Sequence, residues 1–346
     1  MKPLSDTSNS NIVSNYNSDQ FLLFFEGYIS DLLDSFEPNV KDLARDVVLS
    51  GGKRIRPFLV YTCGASNLEA TENLLKASAV IEIVHVATLV HDDILDNAHL
   101  RRGNPTLHSK YGEHTSILLG DALFSFALEL ATDFPDSTVC RNVSSATRKT
   151  CSGEINQTFS KGNFDITAEE YFAIIQDKTG ELFSASCSTG AYLAGLPANL
   201  VDLVGDFGTS LGLNYQIYDD LVDTFGDNLE FGKTLGTDLT SGKITLPIIR
   251  LLESLSSSES KSIKSILGSG DFDKNFKSYL GELFIKNQIH ELCFSELSDR
   301  FSNSKLIASN IPDKSLSLRL SSFLSSFDNK LMNLSSNLLP NFLAIN

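Results

Sequence analysis

The stretch from Val80 to Gly103, VIEIVHVATLVHDDILDNAHLRRG, constrains this chain more than any other. Its first half is apolar on nearly every side at helical spacing, which predicts a buried central helix rather than a surface one. That helix runs into Asp92, Asp93 and Asp96, the outer two on one face, with Arg101 and Arg102 following. Carboxylates gathered at the end of a buried helix repel one another and lose hydration, so they require cations, either bound metal or arginine.

The pattern recurs in GLNYQIYDDLVDTFGDN, where another apolar helix leads to Asp219, Asp220 and Asp223. One such cluster also reads as a hydrated helix end. If two such helices face each other, like-charge repulsion makes the empty site unfavourable, and divalent cations relieve it. Oxygen donors without His or Cys favour Mg2+, which keeps water and shares its coordination with phosphate oxygens. Cations are spread along the same sequence: Lys53, Arg54 and Arg56 after the Gly51-Gly52 turn, then Arg101, Arg102, Lys178, Lys233 and Lys243. The Gly-Gly turn with its three cations reads either as an anion cradle or as a helix cap with solvated charges. Lys53, Arg56, Arg101, Arg102, Lys178, Lys233 and Lys243 are too many for one phosphate and suit two diphosphates, one held through metal and one directly. The chemistry implied is departure of a diphosphate from an apolar substrate.

Helical spacing also covers Gln20–Phe36, Lys41–Val48, a segment begun near Pro57, Thr115–Ala131, and Ser137–Phe159 with Glu154 and Gln157. Thr167 with Glu170 forms a capping box that starts a further helix, and Pro247 opens another. Gly120 inside a helix implies close packing or room for a ligand. Ser254–Ser260 reads as an exposed loop between helices. No alternation of period two competes, so the expected fold is all-α, one domain over 20–346 behind a disordered polar leader over 1–19.

A formal charge of −15 argues against sequence-independent binding to nucleic acid. The five cysteines are scattered without a CxxC pair, which points to a reducing compartment and to neither a disulfide framework nor zinc. No apolar run reaches the ~18 residues of a membrane span, and the amino terminus lacks a basic segment followed by an apolar core, so the expected location is the cytoplasm.

SGGKRIRP, HDDILDNAHLRRG, GEINQ, DKTG, YQIYDDLVD and GKTLGTDLTSGKITLP follow one another as the motifs of the trans-isoprenyl diphosphate synthases (polyprenyl synthetases) do. The sequence resembles that family closely over roughly residues 20 to 335. The resemblance implies a helical bundle around a deep central cavity. It also implies a head-to-tail 1′-4 condensation of isopentenyl diphosphate with an allylic diphosphate, using about three Mg2+ ions. By the same match Asp92, Asp96 and Asp219 would bind metal, and Asp93, Asp220, Asp223 and Asp238 would support metal-bound water and ligand orientation. Arg101, Lys178, Lys233 and Lys243 would face the allylic diphosphate. Gly52, Lys53, Arg56, His85 and Arg102 would hold isopentenyl diphosphate, while Thr179 and Gln216 would line the reacting centre. A lone His on an apolar helix ordinarily packs as a core residue; only the family match gives His85 a binding role. The motifs contain no evident protein base, so the departed diphosphate is implied as the proton acceptor. A homodimer is also implied, with the helices from Thr115 to Phe159 as candidate contacts.

In such an enzyme the growing product extends beside the helix that precedes Asp92. One turn rises ~5.4 Å, about the reach of an isoprene unit, so Thr88 and Ala87 are the first possible floor and Val84 the next. Phe124 and Leu128, on the helix of Gly120, would close the tunnel from the other side. Small side chains at Ala87 and Thr88 leave the floor open, which implies a product of geranylgeranyl length or longer. Two alternatives stand beside this reading. A terpene cyclase needs no second diphosphate pocket, and a non-catalytic partner subunit typically lacks one or both acid clusters; this chain has the residues for the pocket and both clusters.

Overall fold

The computed structural model describes residues 18–65, 71–226, 236–270 and 274–325. Lys233 and the leader before Ser18 lie outside them. Helix α1 (Ser18–Leu32) runs into a 3-10 turn, Leu33–Ser35, so Ser18 and Asp19 belong to the helix and not to the expected leader. Helix α2 (Pro38–Val48) begins with the proline, whose missing N–H costs nothing in a first turn. Helix α3 (Ile55–Gly64) starts two residues before Pro57, and α4 (Thr71–Leu95) is the apolar helix of the opening motif.

Beyond α4 the chain forms a small antiparallel hairpin, β1 (Leu100–Arg101) with β2 (Asn104–Pro105). Its two turn residues, Arg102 and Gly103, have φ of 52° and 78°, the positive pair that a tight twisted hairpin requires. Helices α5 (Leu107–Tyr111), α6 (Glu113–Thr132) and α7 (Thr138–Ser160) follow. Helix α8 (Ala168–Ile175) opens with the expected capping box, Glu170 N–H donating to Thr167 and Thr167 N–H to Glu170. It widens into a π-helical turn at Gln176–Gly180 before α9 (Glu181–Leu193) and α10 (Ala198–Phe225).

The rest comprises α11 (Thr237–Thr240), α12 (Leu246–Ser254), α13 (Ser257–Ser269), α14 (Lys274–Lys286), α15 (Ile289–Ser309) and a helical stretch over 314–325. The serine-rich stretch is not a loop. Ser254 ends α12, and Ser256 caps α13 in a second capping box with Glu259. Serine is a poor interior helix residue but a strong cap, so a serine cluster marks a helix start as readily as a loop. The fold is all-α, as expected, and the hairpin is the only strand pairing among the described residues.

The chain divides into two compact units. Of the described residues, one comprises those up to Leu95 with Leu107–Ser144 and Ala185–Asp202; the other comprises Asp96–Thr106, Ser145–Ser184 and those from Leu203 on. In the first unit α4 is the core: Val80, Ile81, Ile83, Val84 and Ala87 are almost wholly buried. Gly120 of α6 resolves into close packing, because any Cβ there would strike the ring of His91. His91 Nε2 lies 3.1 Å from the Ile117 carbonyl. In the second unit α10 crosses the π-turn closely: a Cβ on Gly212 would come within 2.8 Å of Gly180 Cα.

Helices α4 and α6 are each long and apolar enough to cross a membrane by length and composition alone, a test that a buried core helix also passes. Single charged residues interrupt the apolar run without interrupting the helix. Two-thirds of the α4 window (67%) is buried inside the protein, as a core helix is.

Candidate active site

In the second unit, Asp96 is the meeting point of several cations. Lys243 Nζ donates to Asp96 Oδ2 at 2.8 Å, and Lys161 Nζ stands 3.7 Å from Oδ1. Burial alone would raise the Asp96 pKa, but the bond and charge of Lys243, with Lys178 and Lys161 nearby, hold it below the ordinary carboxylate value. Lys243 shows the mirror image: burial works to lower its pKa, and Asp96 with other acids keeps it above the ordinary lysine value.

Lys178 sits in the π-turn, pairs with Glu154 and donates to Gln157 Oε1 at 2.6 Å. Both partners lie on one face of α7, three positions apart. The turn reaches them because Gly153 has no side chain: a Cβ there would lie 2.8 Å from Lys178 Cα. The next residue, Thr179, donates to Gln216 at 2.8 Å, and the Gln216 amide donates to Asp220 at 2.8 Å. The Tyr171 hydroxyl donates to the other oxygen of Asp220 at 2.6 Å. Burial, with the charges of Asp238 and Asp219, pushes the Asp220 carboxyl up to about 8 against these two hydrogen bonds. Asp223 accepts from the backbone N–H and hydroxyl of Thr237 and from the N–H of Asp238, so it anchors the start of α11. Arg101 and Arg102 belong to the hairpin.

In the first unit, Gly52 and Lys53 are exposed, and Arg56 and His85 are half-buried. Arg54 departs from the three-cation cradle. It takes φ 47°, is 5% exposed, and donates to Glu82 at 2.7 Å, to Glu26 at 2.7 and 3.1 Å and to the Val48 carbonyl at 2.8 Å. Its donors are committed to the fold, so it is not available to an anion.

A scan against family models matches residues 37–283 to "Polyprenyl synthetase". The chain belongs to the polyprenyl synthetase family. It is 33% identical to a geranylgeranyl diphosphate synthase of Sulfolobus acidocaldarius, over 85% of this chain and 96% of that protein. It is also 33% identical to the octaprenyl diphosphate synthase of Escherichia coli, over 70% of this chain and 75% of the relative. Among solved structures, a polyprenyl synthase from Caulobacter crescentus, complexed with calcium and isoprenyl diphosphate, superposes with a TM-score of 0.80 at 27% identity. That match covers 89% of this chain and 94% of the other.

As a polyprenyl synthetase the chain is expected to use magnesium, and its acids divide by exposure. Asp92, Asp96 and Asp219 are half-buried, whereas Asp93, Asp220 and Asp223 are buried. Asp96 Oδ1 is buried without a hydrogen-bond partner, a hard oxygen left for an ion. Among the described residues no three His, Cys, Asp or Glu side chains gather closely enough to enclose a metal by themselves. Magnesium tolerates that arrangement, because water and substrate phosphate complete its coordination. The donor set therefore fits the ion.

Sequence reasoning left Glu154, Gln157, Lys161 and Tyr171 without roles. The spacing of Glu154 and Gln157 within GEINQ was the available signal, since it puts two polar groups on one helix face. Along α4, Val84 and Ala87 are fully buried and Thr88 is half-buried, its hydroxyl donating to the His85 carbonyl at 2.7 Å. Phe124 packs with its ring 5.7 Å from that of His91, while Leu128 is 36% exposed.

Proposed function

We propose that this protein is a prenyltransferase condensing isopentenyl diphosphate with an allylic diphosphate, head to tail, to an all-trans polyprenyl diphosphate of geranylgeranyl length or longer. The observation that carries the proposal is the gathering of Lys161, Lys178 and Lys243 around half-buried Asp96 beside the Thr179–Gln216–Asp220 chain. A carboxylate with an orphaned oxygen amid lysines suits a site shared by metal and diphosphate. Asp92, Asp96 and Asp219 would hold Mg2+, about three ions by family expectation, and Asp93, Asp220, Asp223 and Asp238 would orient those groups. Magnesium, when bound, would neutralise charge on the leaving diphosphate.

The chain's own residues do the rest. Lys178, Lys243, Arg101 and Lys233 hold the allylic diphosphate, and Glu154 with Gln157 fixes the Lys178 ammonium in place. Gly52, Lys53, Arg56, His85 and Arg102 hold isopentenyl diphosphate, whose double bond attacks the allylic cation left by ionisation. Thr179 and Gln216, already ordered by their hydrogen bond, face the reacting carbons. The departed diphosphate takes the proton that the new carbon skeleton loses. Ala87, Thr88 and Val84, with Phe124, set how far the product extends. Leu128, being exposed, carries less of that assignment.

The protein works in the cytoplasm as a homodimer. Five cysteines outside any disulfide support the first statement. Exposed apolar side chains support the second: Ile117, Leu118 and Leu128 on α6, Ile155 and Phe159 on α7. The test against a terpene cyclase is release of diphosphate from farnesyl diphosphate with and without isopentenyl diphosphate. Turnover that needs both substrates supports the synthase; consumption of farnesyl diphosphate alone, with a hydrocarbon product, overturns it.

A further inference from the structure

Lys161 follows the end of α7, and the reaction described above gives it no part. Its loop is pinned beside the one that bears Lys243: Gly162 N–H donates to the Gly242 carbonyl at 2.8 Å. Further along the same loop, Lys264 donates to Asp165 at 2.6 Å. The backbone of Lys161 is thus fixed while its side chain stays 25% exposed. Among the described residues its ammonium group makes one ionic contact, to Asp96 Oδ1 at 3.7 Å, beyond hydrogen-bond reach. Lys243 holds the other oxygen of Asp96 by a true hydrogen bond. Each oxygen of this carboxylate therefore faces a lysine, and a divalent ion must compete with both.

We propose that Lys161 is a further diphosphate-binding residue, held on Asp96 in the empty enzyme and released to the allylic diphosphate when a divalent cation takes Asp96. The inference rests on the reading of Asp96 as a metal ligand beside a diphosphate site. Its consequence is positive coupling: metal frees a cation for the anion, and the anion draws away a cation that competes with metal.

The test uses the full chain, Mn2+ and inorganic diphosphate as probes, and calorimetry of wild type against Lys161→Met. Without diphosphate, Mn2+ binds the variant about threefold to tenfold more tightly, because one competing charge near Asp96 is gone. In saturating Mn2+, inorganic diphosphate binds the variant more weakly by a similar factor, and Lys161→Arg restores both affinities. Unchanged affinities, or a shift in only one of the two, overturn the role of Lys161. Wild-type protein that binds no Mn2+ even with diphosphate present sinks the functional reading along with it. Wild type that binds both and condenses its substrates, beside an unaltered variant, removes Lys161 alone.

Discussion

Arg54 and Arg56 stand two positions apart in SGGKRIRP; Arg54 is buried and Arg56 half-buried. Nothing in residue type distinguishes them; the left-handed backbone at Arg54 does, by aiming its guanidinium at Glu26 and Glu82. Arg54 keeps Glu26 if Glu82 is removed, but removing Arg54 leaves the buried Glu82 carboxylate uncompensated. Arg54→Met should therefore lower unfolding stability by about 3–5 kcal/mol in a denaturant titration. The acid clusters behave oppositely. Asp92 is half-buried and proposed to bind metal, so Asp92→Asn should keep the wild-type melting temperature and lose at least about 100-fold in kcat at saturating Mg2+. Near-normal turnover would remove Asp92 from the metal site. The acids were legible in sequence as clusters on apolar helices, because type and spacing alone reveal them; the inward turn of Arg54 was not, because it depends on one φ angle.

Among the elements, the π-turn at Gln176–Gly180 is the least visible beforehand, since helical spacing runs through it on both sides. Its cause lies elsewhere in the chain: Gly153 lets the turn approach α7, and Gly212 lets α10 approach the turn. Turns of this kind are common where a helix must present a functional group. Gly153→Ala would force the backbone of Lys178 aside, because the atoms in the way are main chain and cannot rotate clear. The expected result is a loss of about 100-fold in kcat, the scale set by misplacing a binding group by about an ångström. Lys178→Met combined with Gly153→Ala should then cost little more than either change alone; fully additive losses would contradict the link. Helix α4, by contrast, was legible throughout, since a helix apolar on every side has only a core to occupy. At Ala87, wholly buried, a larger side chain must project along the proposed product path or strain the core. Ala87→Phe should shorten the product as read by mass spectrometry, and an unchanged distribution would take Ala87 out of the floor.

For the whole molecule, all-helical architecture followed from missing strand periodicity, and family membership from several motifs in one order. The hairpin that carries Arg101 escaped notice because two-residue strands leave no period to detect. At −15 the protein as a whole repels its own substrates, so binding depends on local lysines and on divalent cations. The most direct measurement combines purified protein, Mg2+, isopentenyl diphosphate and a series of allylic primers, with product masses read out. The account predicts Mg2+-dependent polyprenyl diphosphates of geranylgeranyl length or longer; absence of condensation with every primer would contradict it.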